Sequence, residues 1–351
     1  MVSLYEYEGC DRMVVVTGAT GHIGNVLVRK LVEDHISVRA LFAPGDDLKA
    51  LSNLPVELIP MDILDFDGLV RAFDGAEAVF HLAGIITIMP FFQKRVYRVN
   101  VEGTKNVITA CRKAGVKRLV YVSSVHALSE PEKGATIDEN FEFNAKKVYG
   151  CYGKSKAIAG MEVEKAASRG LDTVILCPSG VIGPYDYRGS EMGKLFEDFL
   201  KGKFRIAVDG CFDFVDVRDV ADGIVKAWKK GESGEKYILS GHTITMRKLV
   251  AMLNNCSAMK RKKVFFLPEA LMYPIAAAMT LFYWLSDSKP RFTFYSLHTL
   301  HRYYNFTHEK ASRELGYNPR PIKESVEDTL EWFEKKMNFS KGSFSQEKGL
   351  I

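Results

Sequence analysis

Residues 13–24 are MVVVTGATGHIG, and this stretch predicts the fold of the N-terminal half. The apolar run 13–16 is typical of a buried strand, and the apolar pattern after residue 24 is typical of a helix. Gly18, Gly21 and Gly24 lie between them in the spacing G-x-x-G-x-x-G. Glycine allows a tight turn and close approach of a phosphate, whose charge is attracted by free N–H groups at a helix start. The stretch therefore predicts a dinucleotide-binding turn.

Short apolar runs alternate with longer amphipathic stretches through the first half of the chain. The predicted strands are 13–17, 38–42, 57–60, 78–82, 118–123 and 172–178, and the predicted helices are 21–34, 69–73, 101–114 and 145–169. This alternation is typical of βαβ units. We therefore expect an α/β fold of the Rossmann type, a doubly wound parallel sheet with helices on both faces.

The alternation weakens after Pro178, where turn residues cluster, and it returns with a helix at 220–229 and a strand at 236–239. We therefore expect a smaller C-terminal region that is interleaved with the first. The predicted organisation has three parts: a dinucleotide-binding domain at 12–180 to which 212–241 returns, a substrate-binding region formed by 181–211 and 242–337, and a flexible tail at 338–351.

Composition and charge exclude several classes of protein. The chain has 351 residues, 47% of them hydrophobic, and its 48 Lys and Arg exceed its 43 Asp and Glu by only five. Basic residues are dispersed apart from Lys260–Lys263, so no nucleic-acid partner is expected. The six cysteines lack zinc-type spacing, and the first ten residues do not resemble a secretory signal. We expect a cytoplasmic protein with reduced thiols and no metal site.

Residues 270–285 form the one membrane-like segment, because they carry no charge. A bilayer-spanning helix needs about 20 apolar residues, and this segment is shorter and contains Pro274. We expect a buried or cavity-lining helix. Contact with a membrane surface is the alternative, which the preceding basic cluster favours.

Tyr152 and Lys156 predict proton-transfer chemistry, because residues four apart share one face of a helix. A neighbouring ammonium and an oxidised nicotinamide would both favour the phenolate of a tyrosine. The phenol can then exchange a proton with an alcohol or carbonyl oxygen. Ser123 and Ser124 end a predicted strand at the sheet edge where ligands bind, and a serine hydroxyl there can stabilise charge on a substrate oxygen. Tyr149 competes with Tyr152 but has no lysine four residues later.

Three further fragments, HLAG (81–84), NVEGTKNV (100–107) and CPSGVIGPY (177–185), complete a pattern. Together with the wide glycine spacing and the Tyr-Lys pair, they make the sequence resemble the extended short-chain dehydrogenase/reductase family, of the NAD-dependent epimerase/dehydratase type. Within it, the dihydroflavonol-4-reductase and 3β-hydroxysteroid dehydrogenase relatives look most similar.

The resemblance implies a set of site residues and a homodimer formed through helices 101–114 and 145–169. It selects Ser124 over Ser123, so the candidate catalytic residues are Ser124, Tyr152 and Lys156. The cofactor-binding residues that it implies are Gly18, Thr20, Gly21, His22, Ile23, Gly24, Asp62, Ile63, Leu82, Ala83, Gly84, Asn100, Tyr152, Lys156, Pro178 and Val181.

The end of the second predicted strand bears on the choice between NAD and NADP. An acidic residue there would bind the ribose 2′-hydroxyl of NAD, and an arginine would bind the 2′-phosphate of NADP. Phe42 and Ala43 occupy these places, whereas the reductases that the stretch resembles usually have arginine at the position of Ala43. Asp46 and Asp47 follow closely. The cofactor is therefore NAD or NADP, with a slight preference for NAD.

The activity that the resemblance implies is hydride transfer between the nicotinamide and a secondary alcohol or ketone of a bulky, fairly apolar small molecule, with Tyr152 as acid and base. One alternative is a nucleotide-sugar epimerase or dehydratase with bound NAD. Another is a non-catalytic NAD(P) redox sensor, a class that typically lacks the tyrosine and lysine. We also expect Asp219 to be a helix N-cap, Arg218 to face a substrate anion, and His22 and His126 to make polar contacts only.

Overall fold

The computed structural model describes residues 12–89, 91–132, 134–256, 263–285, 294–301 and 305–347; Cys10 and Lys260–Lys262 therefore lie outside the described residues. The strands of the described chain are β1 (Met13–Thr17), β2 (Ser37–Phe42), β3 (Glu57–Pro60), β4 (Ala78–His81), β5 (Arg118–Val122), β6 (Thr136–Ile137), β7 (Thr173–Pro178), β8 (Gly180–Ile182), β9 (Ile206–Val208), β10 (Cys211–Asp216), β11 (Lys236–Leu239), β12 (His242–Thr245), β13 (Phe265–Leu267) and β14 (Asn305–Phe306). Its helices are α1 (His22–Glu33), α2 (Phe66–Phe73), α3 (Lys94–Tyr97), α4 (Gly103–Lys113), α5 (Cys151–Ala167), α6 (Glu191–Leu200), α7 (Val217–Lys230), α8 (Met246–Cys256), α9 (Glu269–Leu285), α10 (Phe294–His301), α11 (Glu309–Leu315) and α12 (Ile322–Glu347).

A parallel sheet of seven strands, in the order β11-β7-β5-β4-β1-β2-β3, forms the centre of the fold. Both of its faces are covered: Val14 and Val16 pack in one buried cluster with residues of α1 and α7, and Val15 packs in a second with residues of α2, α4 and α5. The strand order reverses between β1 and β4, and ligands of such sheets bind outside the carboxyl ends of the strands at that point. The predicted Rossmann-type fold class is confirmed.

A second, smaller sheet has three strands in the order β12-β10-β8, all of which follow β7 in the chain. Residues of α6, α8 and α12 pack with it around Phe196, Leu249 and Phe333. The segment predicted to return to the main sheet is therefore divided, because β10 joins the small sheet whereas α7 and β11 join the large one.

Several element boundaries differ from those predicted. The helix expected at 145–169 begins only at Cys151, because Gly150 has a φ of +80°, which ends the extended segment before it. A π-helical turn, Arg98–Glu102, leads into α4. The segment expected as a flexible tail is helical from residue 338 to Glu347, because α12 continues to that residue. Helix propagation costs little once a helix has formed, and the segment contains no proline.

The apolar segment 270–285 forms α9 as expected. Met272 and Ala276 are buried in a cluster that includes residues of α10, whereas Leu271 and Phe282 are about half exposed. Among the described side chains, the expectation of a buried helix therefore holds for one face of α9. Across the described ranges, no helix combines the length and the apolar character that crossing a membrane requires.

Candidate functional site

The glycine turn between β1 and α1 forms an open cradle. Gly18 has a φ of +69°, and a Cβ atom there would lie 2.8 Å from the Cα atom of Ala83. A Cβ atom on Gly24 would overlap the carbonyl oxygen of Gly18. Gly21 is the N-cap of α1 and offers no side chain to its first-turn N–H groups. A negatively charged group can therefore reach these N–H groups, so the turn fits a dinucleotide pyrophosphate.

Side chains from two other parts of the chain meet at the edge of this turn. The Thr20 hydroxyl donates a hydrogen bond of 2.6 Å to Asp46, and Arg188 forms an ion pair of 3.1 Å with the same carboxylate. His22 Nε2 lies 2.9 Å from the carbonyl oxygen of Pro184, which is a polar contact of the kind expected for it. Asp46 is thus placed beside the turn, while the second acidic candidate, Asp47, caps a short helical turn instead.

A buried histidine connects β1 to β4. The N–H groups of Leu82 and Ala83 both donate to Thr17 Oγ1 at 3.2 Å, and Thr17 Oγ1 lies 2.8 Å from His81 Nδ1. Burial lowers the pKa of His81 to about 3, so its ring is neutral at physiological pH. Because their N–H groups are already used, Leu82 and Ala83 can contact a cofactor only through their carbonyl oxygens and side chains.

His81 is also linked, through Thr104 and Asn100, to α5. Its Nε2 lies 3.0 Å from Thr104 Oγ1, which donates its own proton to the Asn100 carbonyl oxygen at 2.7 Å. The hydroxyl must therefore accept from His81, which places the ring proton on Nε2. The Asn100 amide then donates to Ile85 O at 3.0 Å and to Ser155 Oγ at 2.9 Å, within α5. These contacts hold the glycine turn and α5 in one buried polar network.

The remaining predicted cofactor residues also lie at or just beyond the carboxyl ends of the strands, or at the start of α1. Ile63 is buried against Gly103, and Gly84 lies beside the Asn100 amide. Asp62 is exposed and accepts a hydrogen bond from the Leu64 N–H at 2.9 Å. Ile23 is in the first turn of α1, Pro178 ends β7, and Val181 is in β8. The structure therefore brings the predicted set to one edge of the sheet.

Ser124 and Tyr152 meet at this edge. Ser124 follows β5, is 6% exposed, and accepts a hydrogen bond of 3.2 Å from the His126 N–H. Tyr152 lies in the first turn of α5, and burial raises the pKa of its phenol to about 12. The Ser124 hydroxyl is close enough to the phenol to oppose that rise. The phenol is therefore a protonated acid at neutral pH.

Lys156 lies beneath this pair rather than beside it. Its ammonium donates to the Val122 carbonyl oxygen at 2.7 Å and lies 4.5 Å from the centre of the Tyr121 ring. Burial lowers the pKa of Lys156 to about 7. In the described chain its ammonium makes no hydrogen bond to Tyr152. Burial is the largest cause of the Tyr152 pKa shift, and this ammonium is not among the groups that contribute to it.

Two expectations at the start of α7 are incorrect. The helix begins at Val217, so its N-cap is Asp216, which accepts from the Arg218 N–H at 2.8 Å, and not Asp219. Asp219 instead accepts from the backbone N–H of Arg320 at 2.8 Å. Arg218 forms ion pairs with Asp216 and, at 2.6 Å, with Asp328. Its charge is thus neutralised within the chain and does not await a substrate anion.

A pocket lined by the two residues that follow Ser124, Val125 and His126, was not predicted from the sequence. It is lined by His126, by Phe212 of β10, and by Tyr149 and Tyr295, whose rings are stacked 6.2 Å apart. Tyr295 comes from α10, far along the chain. The concentration of aromatic residues and histidines in FYSLHTLH (294–301) is the signal that could have indicated this wall.

Comparison with known proteins identifies relatives that are similar over nearly the whole chain. Sterol demethylase protein B of Methylococcus capsulatus is 32% identical over 324 residues, which are 92% of this chain and 98% of that protein. Cinnamoyl-CoA reductase 2 of Arabidopsis thaliana is 30% identical over 343 residues, which are 93% of each chain. A 3beta-hydroxysteroid-dehydrogenase/decarboxylase, isoform 1 of Arabidopsis thaliana, is 30% identical and covers 93% of this chain and 81% of its own.

Solved structures share the fold. The crystal structure of gox2253 superposes with a TM-score of 0.80 at 32% identity and covers 92% of this chain and 98% of its own. The UDP-glucuronic acid 4-epimerase of Bacillus cereus, in complex with UDP-glucuronic acid and NAD, has a TM-score of 0.73 at 20% identity and covers 92% and 99%. The sequence model of one family matches residues 15–265. The chain therefore belongs to the 3-beta hydroxysteroid dehydrogenase/isomerase family, and with it to the NAD(P)-dependent dehydrogenases, reductases and epimerases of the extended short-chain type.

Proposed function

We propose that this enzyme transfers a hydride between its nicotinamide dinucleotide and the carbinol or carbonyl carbon of a bulky, fairly apolar secondary alcohol or ketone. The observation that carries the proposal is the position of Ser124 and Tyr152 at the carboxyl edge of the sheet, where the Ser124 hydroxyl lowers the pKa of the phenol. The two residues after Ser124, Val125 and His126, line a pocket with aromatic walls. When bound at the glycine turn, the dinucleotide supplies the hydride chemistry, and the chain supplies binding, orientation and the proton.

Each of the three catalytic candidates has a distinct role in this proposal. In the reductive direction, the Tyr152 phenol donates its proton to the substrate carbonyl oxygen. The Ser124 hydroxyl orients that oxygen and stabilises its developing negative charge. Lys156, already held by the Val122 carbonyl, binds the hydroxyls of the nicotinamide ribose and so fixes the ring beside Tyr152. Pro178 and Val181 flank the ring in the same arrangement.

The charge of the pocket favours an apolar substrate over a sugar nucleotide. Among the described residues that line it, none is lysine or arginine, whereas a diphosphate is usually bound by such cations. The epimerases among the solved structures are about 20% identical to this chain, so they support the fold and not the substrate. We propose that residues 12–180 and the returning elements α7 and β11 bind the dinucleotide, while 181–211 and 242–337 bind the substrate.

Replacing the proposed acid tests the function. Tyr152→Phe removes one hydroxyl group, and we expect kcat for reduction of an aryl ketone to fall by about 10²- to 10⁴-fold. NADH binding, measured by fluorescence, should change little. Tyr149→Phe is the matched control, because this tyrosine lies three residues earlier and is 37% exposed, and it should retain most of the activity. Undiminished turnover by Tyr152→Phe would contradict the proposal.

We further propose that Asp46 makes the enzyme prefer NAD. Its carboxylate is fixed at the edge of the glycine turn by Thr20 and Arg188, where it would accept the ribose 2′-hydroxyl and repel a 2′-phosphate. Repulsion between two like charges about 4 Å apart costs on the order of 1–4 kcal/mol. Asp46→Ala should therefore raise the affinity for NADPH relative to NADH by about tenfold or more, as measured by titration of ligand fluorescence. Asp47→Ala, at an exposed neighbouring carboxylate, should leave the ratio unchanged, and equal ratios in both variants would refute the assignment.

A homodimer is also part of the proposal. The family resemblance implies association through α4 and α5, and these two helices pack against one another on one face of the main sheet. Met161 of α5 is 47% exposed, so a second copy that binds there would bury an apolar side chain. A second copy would convert the two helices into a four-helix bundle.

A further inference from the structure

The pocket beside the catalytic pair is mostly apolar. Its wall includes Val125, Leu128, Ile137, Phe212 and Phe306, together with the rings of Tyr149 and Tyr295. Val125, Leu128 and Ile137 are each no more than 3% exposed, so they form a fixed surface. Aromatic walls of this kind suit a flat apolar body, and a few polar groups then set its orientation.

His126 is held at a fixed position relative to the catalytic pair. Its backbone N–H donates to Ser124 Oγ at 3.2 Å. On its other side, its carbonyl oxygen contacts α5 at Gly153, where a Cβ atom would lie only 2.6 Å from that oxygen. Gly153 directly follows Tyr152. The backbone of His126 therefore contacts Ser124 on one side and the residue after Tyr152 on the other. The imidazole therefore projects into the pocket from a rigid base.

The imidazole of His126 is available to a ligand. Its ring lies between those of Phe212, at 5.9 Å, and Tyr295, at 6.1 Å. In the described ranges, neither ring nitrogen has a hydrogen-bond partner. Burial lowers the pKa of His126 to about 4, although Glu130 opposes this, so at neutral pH one nitrogen is a donor and the other an acceptor. A half-buried polar ring in an apolar wall gains free energy when a ligand pairs it.

Glu130, His298 and Asp213 of the pocket are engaged within the chain, whereas the buried hydroxyl of Tyr295 has no hydrogen-bond partner among the described residues. Glu130 and His298 are 2.8 Å apart, and Glu130 also accepts from the Tyr149 N–H at 3.0 Å. The Asp213 carboxylate accepts from Ser179 and, at 2.9 Å, from the Gly241 N–H. These groups already have partners within the chain, whereas the His126 ring nitrogens have none among the described residues.

We propose that His126 determines substrate specificity by hydrogen-bonding a second oxygen, a hydroxyl or a carbonyl, on a flat apolar substrate whose reacting oxygen lies between Ser124 and Tyr152. The inference rests on the proposed function and makes it more specific: the substrates are fused-ring or aryl ketones and alcohols that carry oxygen at two positions. A site built to pair such an oxygen discriminates strongly against an analogue without it, because the imidazole is then left unpaired in the complex.

The experiment compares the bicyclic ketone tetralone with its monohydroxylated ring analogues, all reduced by the full-length enzyme with NADH and with NADPH. The wild type should reduce at least one hydroxylated analogue with a kcat/KM about tenfold or more above that of tetralone. His126→Phe should bring this ratio close to one, because phenylalanine cannot pair the second oxygen. His126→Gln, which can still donate and accept, should restore part of the ratio.

A second histidine in the same pocket provides the matched control. His298→Gln can keep the hydrogen bond to Glu130, and we expect it to leave the ratio unchanged. The inference is overturned if the wild type shows no preference for a hydroxylated analogue, if His126→Phe keeps the full ratio, or if His298→Gln lowers the ratio equally. In each of these cases, turnover of tetralone still supports the proposed function. If the wild type reduces none of these ketones, the proposed function fails, and this inference fails with it.

Discussion

Tyr152 is a buried acid before any ligand arrives. Burial of its phenol raises the pKa to about 12, and the nearby Ser124 hydroxyl opposes this rise. A group protonated at neutral pH is ready to donate to a carbonyl oxygen and must first lose its proton to accept one from an alcohol. The free enzyme is therefore better prepared for reduction than for oxidation.

This protonation state predicts opposite pH dependences for the two directions. Between pH 7 and 10, below the Tyr152 pKa of about 12, the rate of alcohol oxidation should rise with pH, by up to about tenfold per unit, because the phenolate fraction rises. The rate of ketone reduction should be nearly constant over the same range. Steady-state rates with saturating cofactor check both, and oxidation that slows as the pH rises would contradict the role given to Tyr152.

Individual site residues were predictable where one local motif contains them. Tyr152 and Lys156 share a helix turn, and Ser124 follows a strand that the sequence identifies, so local motifs suffice to propose all three residues. His81 was recognised only as part of a fragment, because its partners Thr17 and Thr104 are 64 and 23 residues away. Contacts over such separations depend on strand order, which a single sequence does not contain.

At the scale of elements, the glycine turn shows how sterics select residues. Gly18 combines a left-handed φ with a neighbouring backbone that leaves no room for a side chain. Gly115, after α4, has the same φ of +69°, but a methyl group there would meet nothing within 4 Å. A side chain at Gly115 would therefore be disfavoured by the backbone angle alone, whereas one at Gly18 would be disfavoured by the angle and by contact with the neighbouring backbone.

Alanine at each position measures this difference. Gly115→Ala should lower the free energy of unfolding by about 1–2 kcal/mol, the cost of a left-handed alanine. Gly18→Ala should cost about 1–3 kcal/mol more, because its methyl group displaces the Ala83 backbone. Only Gly18→Ala should also weaken NADH binding. Urea unfolding and fluorescence titration check these expectations, and equal effects of the two variants would refute the steric argument.

Element positions were predictable where periodicity is strong and less so where a single residue intervenes. The bounds of β1 and β3 agree with the prediction because each is a short apolar run between turn residues. The start of α5 was placed six residues too early, since the left-handed Gly150 is not visible in composition. For α9, the apolar composition was correct but the number of packed faces depends on neighbours that only the folded chain supplies.

At the scale of the whole molecule, the outer surface of α4 and α5 is where a second copy is proposed to bind. The wild type should have twice the mass of one chain in light scattering. Met161→Glu should weaken the dimer at least tenfold, because it places a charge in an apolar interface. Leu58→Glu, at a side chain of the edge strand β3 that is 39% exposed, is the control and should not alter the mass. A monomeric wild type would contradict the proposal.

The buried network around His81 also has a spectroscopic consequence. Since Thr104 gives its proton to Asn100, the ring proton of His81 is confined to Nε2, and burial keeps the ring neutral until its pKa of about 3. Nitrogen NMR of the labelled protein should therefore show one imidazole whose two resonances stay separate and do not titrate through mildly acidic pH. Because Thr17 Oγ1 joins this ring to the N–H groups beneath the glycine turn, that imidazole would be an internal reporter of cofactor binding.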